Sequence, residues 1–224
     1  MGRDIAVTTP SGLVDAWRAD PPYGAAAQGA ILVVQEIFGV NAHIRSVADG
    51  FAAAGYTALA PALFDPVARN VELGYDDAGF ARGRALVEEL GTDRALGILA
   101  ACRALLQAEG HRHIAVVGFC WGGSLAFLAN TRLGLPAVSY YGARTMPFID
   151  EPLRAQMLFH FGRDDPSIPP GDIQRHRERH PDAEVHVHAG GHAFNRDVDP
   201  RHYNADSAAT ARRQTLKFLK SALR

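Results

Sequence analysis

The stretch that most constrains the fold of this chain spans residues 114–127 and reads IAVVGFCWGGSLAF. An apolar run rich in β-branched residues stops at Gly118, Cys120 follows after one residue, and a helix-compatible pattern begins after Gly123. The stretch therefore predicts a strand, a sharp turn and a helix, with the cysteine at the tip of the turn.

Gly118, Cys120 and Gly122 form the pattern Gly-x-Cys-x-Gly, which resembles the nucleophile elbow of α/β-hydrolases with cysteine in place of the usual serine. The glycines are needed because the residue at the tip has a strained backbone, so its neighbours must lack Cβ for strand and helix to approach each other. A thiol at the start of a helix is also favoured as thiolate by the positive end of the helix dipole. The alternative interpretation is a glycine-rich turn around a small buried cysteine.

Composition limits the classes of function. The 224 residues lie within the range of one domain, and we expect a single domain over residues 1–224. A formal net charge of -1 at pH 7 supplies no field that would attract nucleic acid or an anionic membrane. No apolar stretch approaches membrane-spanning length, and the first residues contain no apolar core of an export signal. We therefore expect a protein that acts on a small molecule, without a nucleic-acid or membrane partner.

The chain has two cysteines, Cys102 and Cys120, which do not encode a disulfide framework and fit a reducing cytoplasm. Cys102 lies on the apolar stripe of a predicted helix for which Thr92 is the candidate N-cap, so we expect it in the core.

Strands and helices alternate along the chain, which predicts an α/β fold with one mostly parallel sheet covered by helices on both faces. Residues 62–78 have an irregular pattern and are the expected lid or loop region. The predicted strands are an edge hairpin over 4–18 closed by a turn at 21–24, and runs at 30–34, 57–61, 137–142, 156–162 and 184–188, in addition to the strand before the elbow. Four helices are predicted. The first lies between residue 41 and Gly55, the second starts near Thr92, the third lies between the elbow and Gly134, and the fourth runs from about Ala205 to Leu223.

Four titratable residues follow predicted strands, where the working residues of such sheets lie: Glu36, Cys120, Asp165 and His192. The last three appear in the order nucleophile, acid, histidine, which is the order that α/β-hydrolases use. A thiol needs a base, and an imidazole needs a carboxylate that fixes its tautomer, so we assign these roles to His192 and Asp165. Asp164 remains the alternative acid, since either aspartate can instead be a turn-former before proline.

A metal site is not expected. The chain has ten histidines, and His186 and His188 are spaced to share one face of a strand, but no cysteine or carboxylate converges on them. We therefore expect neither metal nor cofactor. Surface or strand-face positions are predicted for most of the other histidines, namely His111, His113, His176, His180, His186 and His188.

Four motifs together resemble the dienelactone hydrolase (carboxymethylenebutenolidase) family. They are QEIFGVN at 35–41, GFCWGG at 118–123, FGRDDPSIP at 161–169 and GHAF at 191–194. The match to the family covers almost the whole chain. The resemblance implies an α/β-hydrolase fold and cofactor-independent hydrolysis of a lactone or ester. It also selects Asp165 over Asp164, because the family's acid stands three residues before the isoleucine of the Ile-Pro pair.

The resemblance implies further roles. Glu36 corresponds to the glutamate that holds the family's cysteine in a gated resting state and deprotonates the thiol once substrate binds; the alternative is a carboxylate that caps the turn at Phe38. The elbow offers the backbone N–H of Trp121 to a developing oxyanion, and the resemblance adds that of Ile37.

Dienelactone hydrolases bind the carboxylate of their substrate with arginines. Arg196 stands at the matching position after His192, and a guanidinium presents a bidentate fork to a carboxylate. Arg82 is a candidate for the second arginine, with Arg84 as its alternative, and Phe38 is a further candidate for contact with substrate. The loop at 64–75 departs from the pattern of the members that degrade dienelactones, so the native substrate stays open.

The sequence thus predicts a cysteine hydrolase that opens a small lactone or cleaves a carboxylic ester through a thioester acyl-enzyme, acting as a monomer or small homo-oligomer. The nearest alternative is a broad esterase or thioesterase. An alternative of another class is a non-catalytic ligand-binding or redox-sensing protein on the same fold. A sensor would need a resolving cysteine, and Cys102 is expected to be buried.

Overall fold

A computed structural model describes residues 2–22 and 26–224 of the chain. Tyr23 and Gly24, part of the predicted turn at 21–24, lie outside the described residues. The chain forms two compact units, Met1–Ala115 and Val116–Arg224. The single domain expected from length stays a prediction.

The strands of the first unit form the order β1-β2-β4-β3. The predicted hairpin is confirmed, with β1 antiparallel to β2, and β2 is antiparallel to β4 while β3 runs parallel to β4. All residues of β3 and β4 are buried, as expected for apolar runs inside a sheet. The four strands are β1 (Arg3–Thr9), β2 (Gly12–Ala19), β3 (Ala30–Val34) and β4 (Thr57–Pro61).

Three helices complete the first unit: α1 (Ala42–Ala53), α2 (Asp77–Leu90) and α3 (Thr92–Ala108). The helix α1 begins where the Asn41 side chain accepts a hydrogen bond from the backbone N–H of Ile44, which satisfies one of the unpaired donors of the first turn. It ends just before Gly55, whose φ of 94° suits glycine, so the predicted stop is confirmed.

The helix α2 was not predicted: the irregular region was expected to reach residue 78, and no element was assigned to residues 79–91. It begins at Asp77, after Asp76 accepts a hydrogen bond of 2.8 Å from the backbone N–H of Gly79. Gly79 and Gly83 weaken its helical pattern. Gly83 is needed for close packing, because a Cβ at this position would lie 2.3 Å from the carbonyl oxygen of Ile37.

The start of α3 also differs from prediction. Thr92 is the first helical residue, and the N-cap position belongs to Gly91 with φ 74° and no side-chain cap. Cys102 is fully buried on this helix, as its apolar stripe predicted.

The second unit contains a parallel sheet with the strand order β5-β6-β7-β8. Every residue of β5, β6 and β7 is buried, the pattern of parallel strands covered on both faces. The strands are β5 (Ile114–Phe119, whose first two residues belong to the first unit), β6 (Ala137–Tyr140), β7 (Met157–Gly162) and β8 (Glu184–His188). The strand predicted at 137–142 therefore ends two residues early.

The helices of the second unit are α4 (Trp121–Leu133), α5 (Pro170–Arg179) and α6 (Ala205–Ala222), with a short 3-10 helix at Met146–Phe148. Gly134 ends α4 in the left-handed conformation, as predicted. The helix α5 was not predicted, since its only buried residues are Ile173 and His176. The surface positions expected for His176 and His180 are wrong, because both side chains are buried.

Among the helices that the structure describes, none combines the length and apolar character needed to cross a membrane.

Candidate active site

Cys120 stands between β5 and α4 in a strained conformation, with φ 54° and ψ -118°. A positive φ is uncommon for a residue with a side chain, and such strain concentrates at functional sites. The backbone N–H of Cys120 donates to the carbonyl oxygen of Tyr140 at 2.9 Å, which fixes the turn against β6. The strand, turn and helix predicted from the sequence are confirmed.

The glycines around the cysteine are required because a side chain at these positions would collide with the backbone. A Cβ at Gly118 would lie 1.9 Å from the carbonyl oxygen of Gly122, and one at Gly123 would lie 2.7 Å from that of Tyr140. Real Cβ atoms do not approach backbone oxygens so closely, so a larger residue at Gly118 would push strand and helix apart.

His192 is oriented by Asp165. Its Nδ1 lies 2.7 Å from Oδ2 of this aspartate, whose other oxygen accepts the backbone N–H of Ser167 at 2.8 Å. The side chain of Asp165 is fully buried, whereas that of Asp164 is 62% exposed and lies beside Arg163. Of the two candidate acids, only Asp165 contacts the histidine.

Cys120 and His192 are electrostatically coupled. Burial acts to lower the pKa of His192, but the charge of Cys120 and the hydrogen bonds to Asp165 and Cys120 outweigh it and raise that pKa to about 10. An imidazolium is therefore stabilised when a thiolate faces it. Cys120 is partly exposed, which leaves the sulfur accessible to a substrate.

The loop that carries His192 packs closely on the end of β7. A Cβ at Gly162 would lie 2.5 Å from the carbonyl oxygen of Gly191, so only glycine permits this approach. The backbone N–H of Asp164 donates to the carbonyl oxygen of Gly190 at 3.0 Å. The motif that contains Asp165 and the loop that contains His192 are thus held together by backbone contacts.

Glu36, Ile37 and Phe38 follow β3 in the first unit after Gln35, and all three are buried. Phe38 packs edge-on against Tyr75 and Phe80, with ring centroids 4.7 and 5.0 Å away. The motif at 35–41 is therefore part of a packed cluster within its unit.

Arg196 is buried, and its Nη2 lies 2.8 Å from Oδ2 of Asp199. Burial acts to raise the pKa of Asp199, but hydrogen bonds from His202, Arg196 and Arg201 hold it well below its usual range. Arg82, the second candidate, is exposed on α2, and so is Arg84.

The sequence interpretation missed Tyr141, which is fully buried with a φ of 41° and whose ring centroid lies 5.1 Å from that of His192. The tyrosine pair before Gly142 was counted as strand, and nothing in the pattern marked the second ring as a neighbour of the histidine.

Within the described residues, no group of three or more histidine, cysteine, aspartate or glutamate side chains is arranged to hold a metal ion.

The mostly parallel sheets with covering helices define an α/β-hydrolase fold. Within that class the chain belongs to the dienelactone hydrolase family, whose model matches residues 14–223. Membership makes the chain a hydrolase of esters or lactones.

Relatives and solved structures agree with this membership. The chain is 32% identical over 203 residues to a carboxymethylenebutenolidase of Pseudomonas putida, with 84% of each chain covered. It is 30% identical over 206 residues to carboxymethylenebutenolidase 1 of Cupriavidus pinatubonensis, again with 84% of each covered. A crystal structure of a Klebsiella pneumoniae protein provisionally assigned as a dienelactone hydrolase superposes with a TM-score of 0.87 at 26% identity, covering 98% of both chains.

Proposed function

We propose that this chain hydrolyses a small lactone or carboxylic ester through a thioester formed on Cys120. The observation that carries the proposal is the coupled set in the second unit: a strained cysteine at the elbow, a histidine whose pKa it raises, and a buried carboxylate 2.7 Å from that histidine. Each member has the environment that its role requires.

In the first step, the Cys120 thiolate attacks the carbonyl carbon, a C–S bond forms, and the carbonyl oxygen becomes an oxyanion. The backbone N–H groups of Trp121 and Ile37 are the proposed donors to this oxyanion. When the intermediate collapses, the C–O bond breaks and the leaving oxygen takes the proton from Nε2 of His192. A lactone is thereby opened, with its alcohol still attached to the acyl group.

In the second step, neutral His192 removes a proton from water and the hydroxide attacks the thioester carbonyl. Collapse of this intermediate expels the thiolate and releases the acid, so the thiolate and imidazolium are regenerated. Asp165 fixes Nδ1 as the inner nitrogen and stabilises the charged ring in both half-reactions.

For Glu36 we propose the role that the family resemblance implies, a base that deprotonates the thiol when substrate binds. Its burial gives the carboxylate a defined position after β3. The alternative is a simple cysteine–histidine pair, in which the resting thiol is already a thiolate that faces the imidazolium of His192. The two mechanisms therefore differ in the state of the resting thiol.

The substrate is proposed to bear a carboxylate that Arg196 recognises, with Arg82 and Phe38 as further contacts. Asp199 orients the Arg196 guanidinium from one side.

A broad esterase or thioesterase would use the same residues and differ only in substrate. The non-catalytic sensor finds little support, because Cys102 is fully buried and burial raises its pKa to about 12, so it lacks the thiolate that a resolving cysteine needs. Cytoplasmic location and the oligomeric state stay predictions.

A substrate panel tests the proposal. Purified protein is assayed with dienelactones, neutral aryl esters and acyl thioesters, with Cys120→Ala as the blank. We expect cysteine-dependent turnover, with the highest kcat/KM for a carboxylate-bearing lactone. A preference for neutral esters or thioesters would establish the alternative, and hydrolysis equal to that of the blank on every substrate would refute the function.

A further inference from the structure

A chain of four buried polar side chains crosses the second unit beneath the histidine loop. Tyr140 Oη lies 2.7 Å from Thr215 Oγ1, which lies 3.1 Å from His160 Nε2, and His160 Nδ1 lies 2.9 Å from His188 Nε2. The side chains come from β6, α6, β7 and β8, and all four residues are buried. We call these four residues the buried relay.

The relay is complete when both of its histidines are neutral. Each link then holds one hydrogen between one donor and one acceptor, and Thr215 donates in one direction and accepts from the other. If both rings became imidazolium, the Nδ1–H of His160 would face the Nε2–H of His188. Two donors at that distance cannot bond, so double protonation breaks this link.

Burial keeps both rings neutral at pH 7. It lowers the pKa of His188 to about 4, with a smaller contribution from the charge of His186, and it lowers that of His160 well below its ordinary value. Between about pH 6.5 and 4 the unfolded chain binds more protons than the folded one, so stability falls as the pH falls through this window.

Other charged and polar groups face the relay from the neighbouring elements. His186 on β8 stacks on His160, and its Nδ1 lies 3.2 Å from Nε2 of Gln214 on α6. A carboxylate oxygen of Glu184 lies 3.5 Å from the other ring nitrogen of His186, and the charge of Arg212 acts to lower the pKa of Tyr140.

The relay reaches the loop of His192 through Phe194. The ring of His188 lies 5.0 Å from that of Phe194, which is fully buried and meets Tyr141 edge-on at 5.5 Å. Between Phe194 and His192 stands only Ala193, which has a positive φ of 63°. A displacement of the Phe194 ring therefore changes the backbone turn that aims the catalytic imidazole.

We propose that His188 is a positioning residue for His192. Its hydrogen bond to His160 holds His188 in place, and the contact of His188 with Phe194 fixes the position of that ring. Phe194 in turn keeps the imidazole of His192 oriented towards Cys120. This role rests on the proposed function of His192. The geometry makes the orientation of His192 dependent on an intact relay.

Two substitutions of His188 separate hydrogen bonding from packing. His188→Leu keeps an apolar contact for Phe194 but removes the bond to His160, and we expect kcat to fall about 10-fold with KM within about twofold. His188→Gln retains a hydrogen-bonding group, so we expect kcat to recover most of this loss.

His176 supplies the matched control, since it is equally buried but bonds Thr145 and the carbonyl oxygen of Asp172, and packs on Phe159 and Phe161. His176→Leu should lower thermal stability while leaving kcat within about twofold. An equal loss of kcat in His176→Leu and His188→Leu would overturn the proposal, because a general loss of packing would explain both.

A readout without substrate keeps the inference separate from the proposed function. In protein labelled with ¹⁵N-histidine, the ring resonances of His192 are titrated in the wild type and in His188→Leu. We expect a lower pKa of His192 in the variant, because a misaligned ring loses part of its contact with Cys120 and Asp165. An unchanged His192 titration together with wild-type kcat would refute the positioning role, whereas absence of hydrolysis in the wild type would refute only the proposed function.

If His188→Leu fails to fold, Thr215→Val carries the same test, since it removes only the hydroxyl that joins Tyr140 to His160. The expected result is again a lower kcat with KM unchanged. Wild-type kcat in a folded Thr215→Val protein would overturn the role of the relay.

Discussion

Asp165 and His192 are joined through a contact of 2.7 Å between Oδ2 and Nδ1, although 27 positions separate them in the chain. The neighbouring Asp164 turns its side chain to solvent. Of these two carboxylates, the geometry allows only that of Asp165 to hold the imidazole in one tautomer and to stabilise its charge in the proposed mechanism.

We therefore predict that Asp165→Asn lowers kcat by about 10²-fold or more, because the amide can hold the wrong tautomer and carries no charge. Asp164→Asn, the matched control, should retain kcat within about twofold. Steady-state kinetics on one ester measure both. A larger loss in Asp164→Asn would show that the acid has been misassigned.

Cys120 and Cys102 should respond differently to substitution and to alkylation. Cys120→Ala should abolish hydrolysis and retain the fold, whereas Cys102→Ala should leave turnover intact and destabilise the protein by roughly 1 kcal/mol through a small cavity. Iodoacetamide should label Cys120 alone, since Cys102 is buried and its thiol has a pKa of about 12. Peptide mapping after alkylation and thermal melts measure these effects, and similar activity losses in both variants would contradict the account.

The state of the resting thiol is read from the titration of His192. If a thiolate faces the ring, Cys120→Ala should lower the pKa of His192, because the charge of Cys120 and its hydrogen bond help to raise that pKa to about 10. Because this pKa lies above the ordinary 6.5, His192 contributes stability that is fully present below pH 6.5 and lost as the pH rises through about 10. Stability curves of Cys120→Ala should therefore be flatter over this range.

A gated mechanism predicts a different outcome for the same measurements. A neutral resting thiol would leave the titration of His192 unchanged in Cys120→Ala, and thiolate absorbance would appear only when a carboxylate-bearing substrate analogue binds. Glu36→Gln should then lower kcat by about 10²-fold, the usual scale for a positioned base. Thiolate absorbance in the free wild-type enzyme at neutral pH would refute the gate, while leaving the cysteine mechanism intact.

The elbow gives a stability prediction with an internal control. Gly118→Ala should prevent folding or lower stability by about 3 kcal/mol or more, because its Cβ would overlap the carbonyl of Gly122. Gly97→Ala lies inside α3 with nothing within 4 Å of the new Cβ, and should raise stability by about 0.5–1 kcal/mol. Urea unfolding measures both, and equal effects would contradict the packing argument.

Those elements whose apolar pattern is strong were predictable from sequence. The strands at Ala30–Val34, Thr57–Pro61 and Glu184–His188 have the predicted bounds, because each is a short apolar or alternating run between turn residues. The chain order of Cys120, Asp165 and His192 pointed to a shared site, and the contact between the last two agrees with it.

Other features depend on packing that a pattern does not reveal. Gly83 weakens the helical signal of α2, yet it is needed for close contact with Ile37. His160 and His188 look like isolated polar residues in strands, and only the fold brings them to one hydrogen bond. Tyr141 gains its place beside His192 from a backbone conformation that tyrosine rarely adopts.

Hydrolysis through a thioester on Cys120 can be tested by trapping the intermediate. Protein mixed with an activated ester is quenched in acid within milliseconds, digested, and searched by mass spectrometry for the acyl group, with Cys120→Ala as control. We predict an acyl adduct on the Cys120 peptide alone, formed in a burst and lost at the rate of turnover. Turnover without any adduct on Cys120, or with the acyl group on another side chain that is required for activity, would contradict the mechanism.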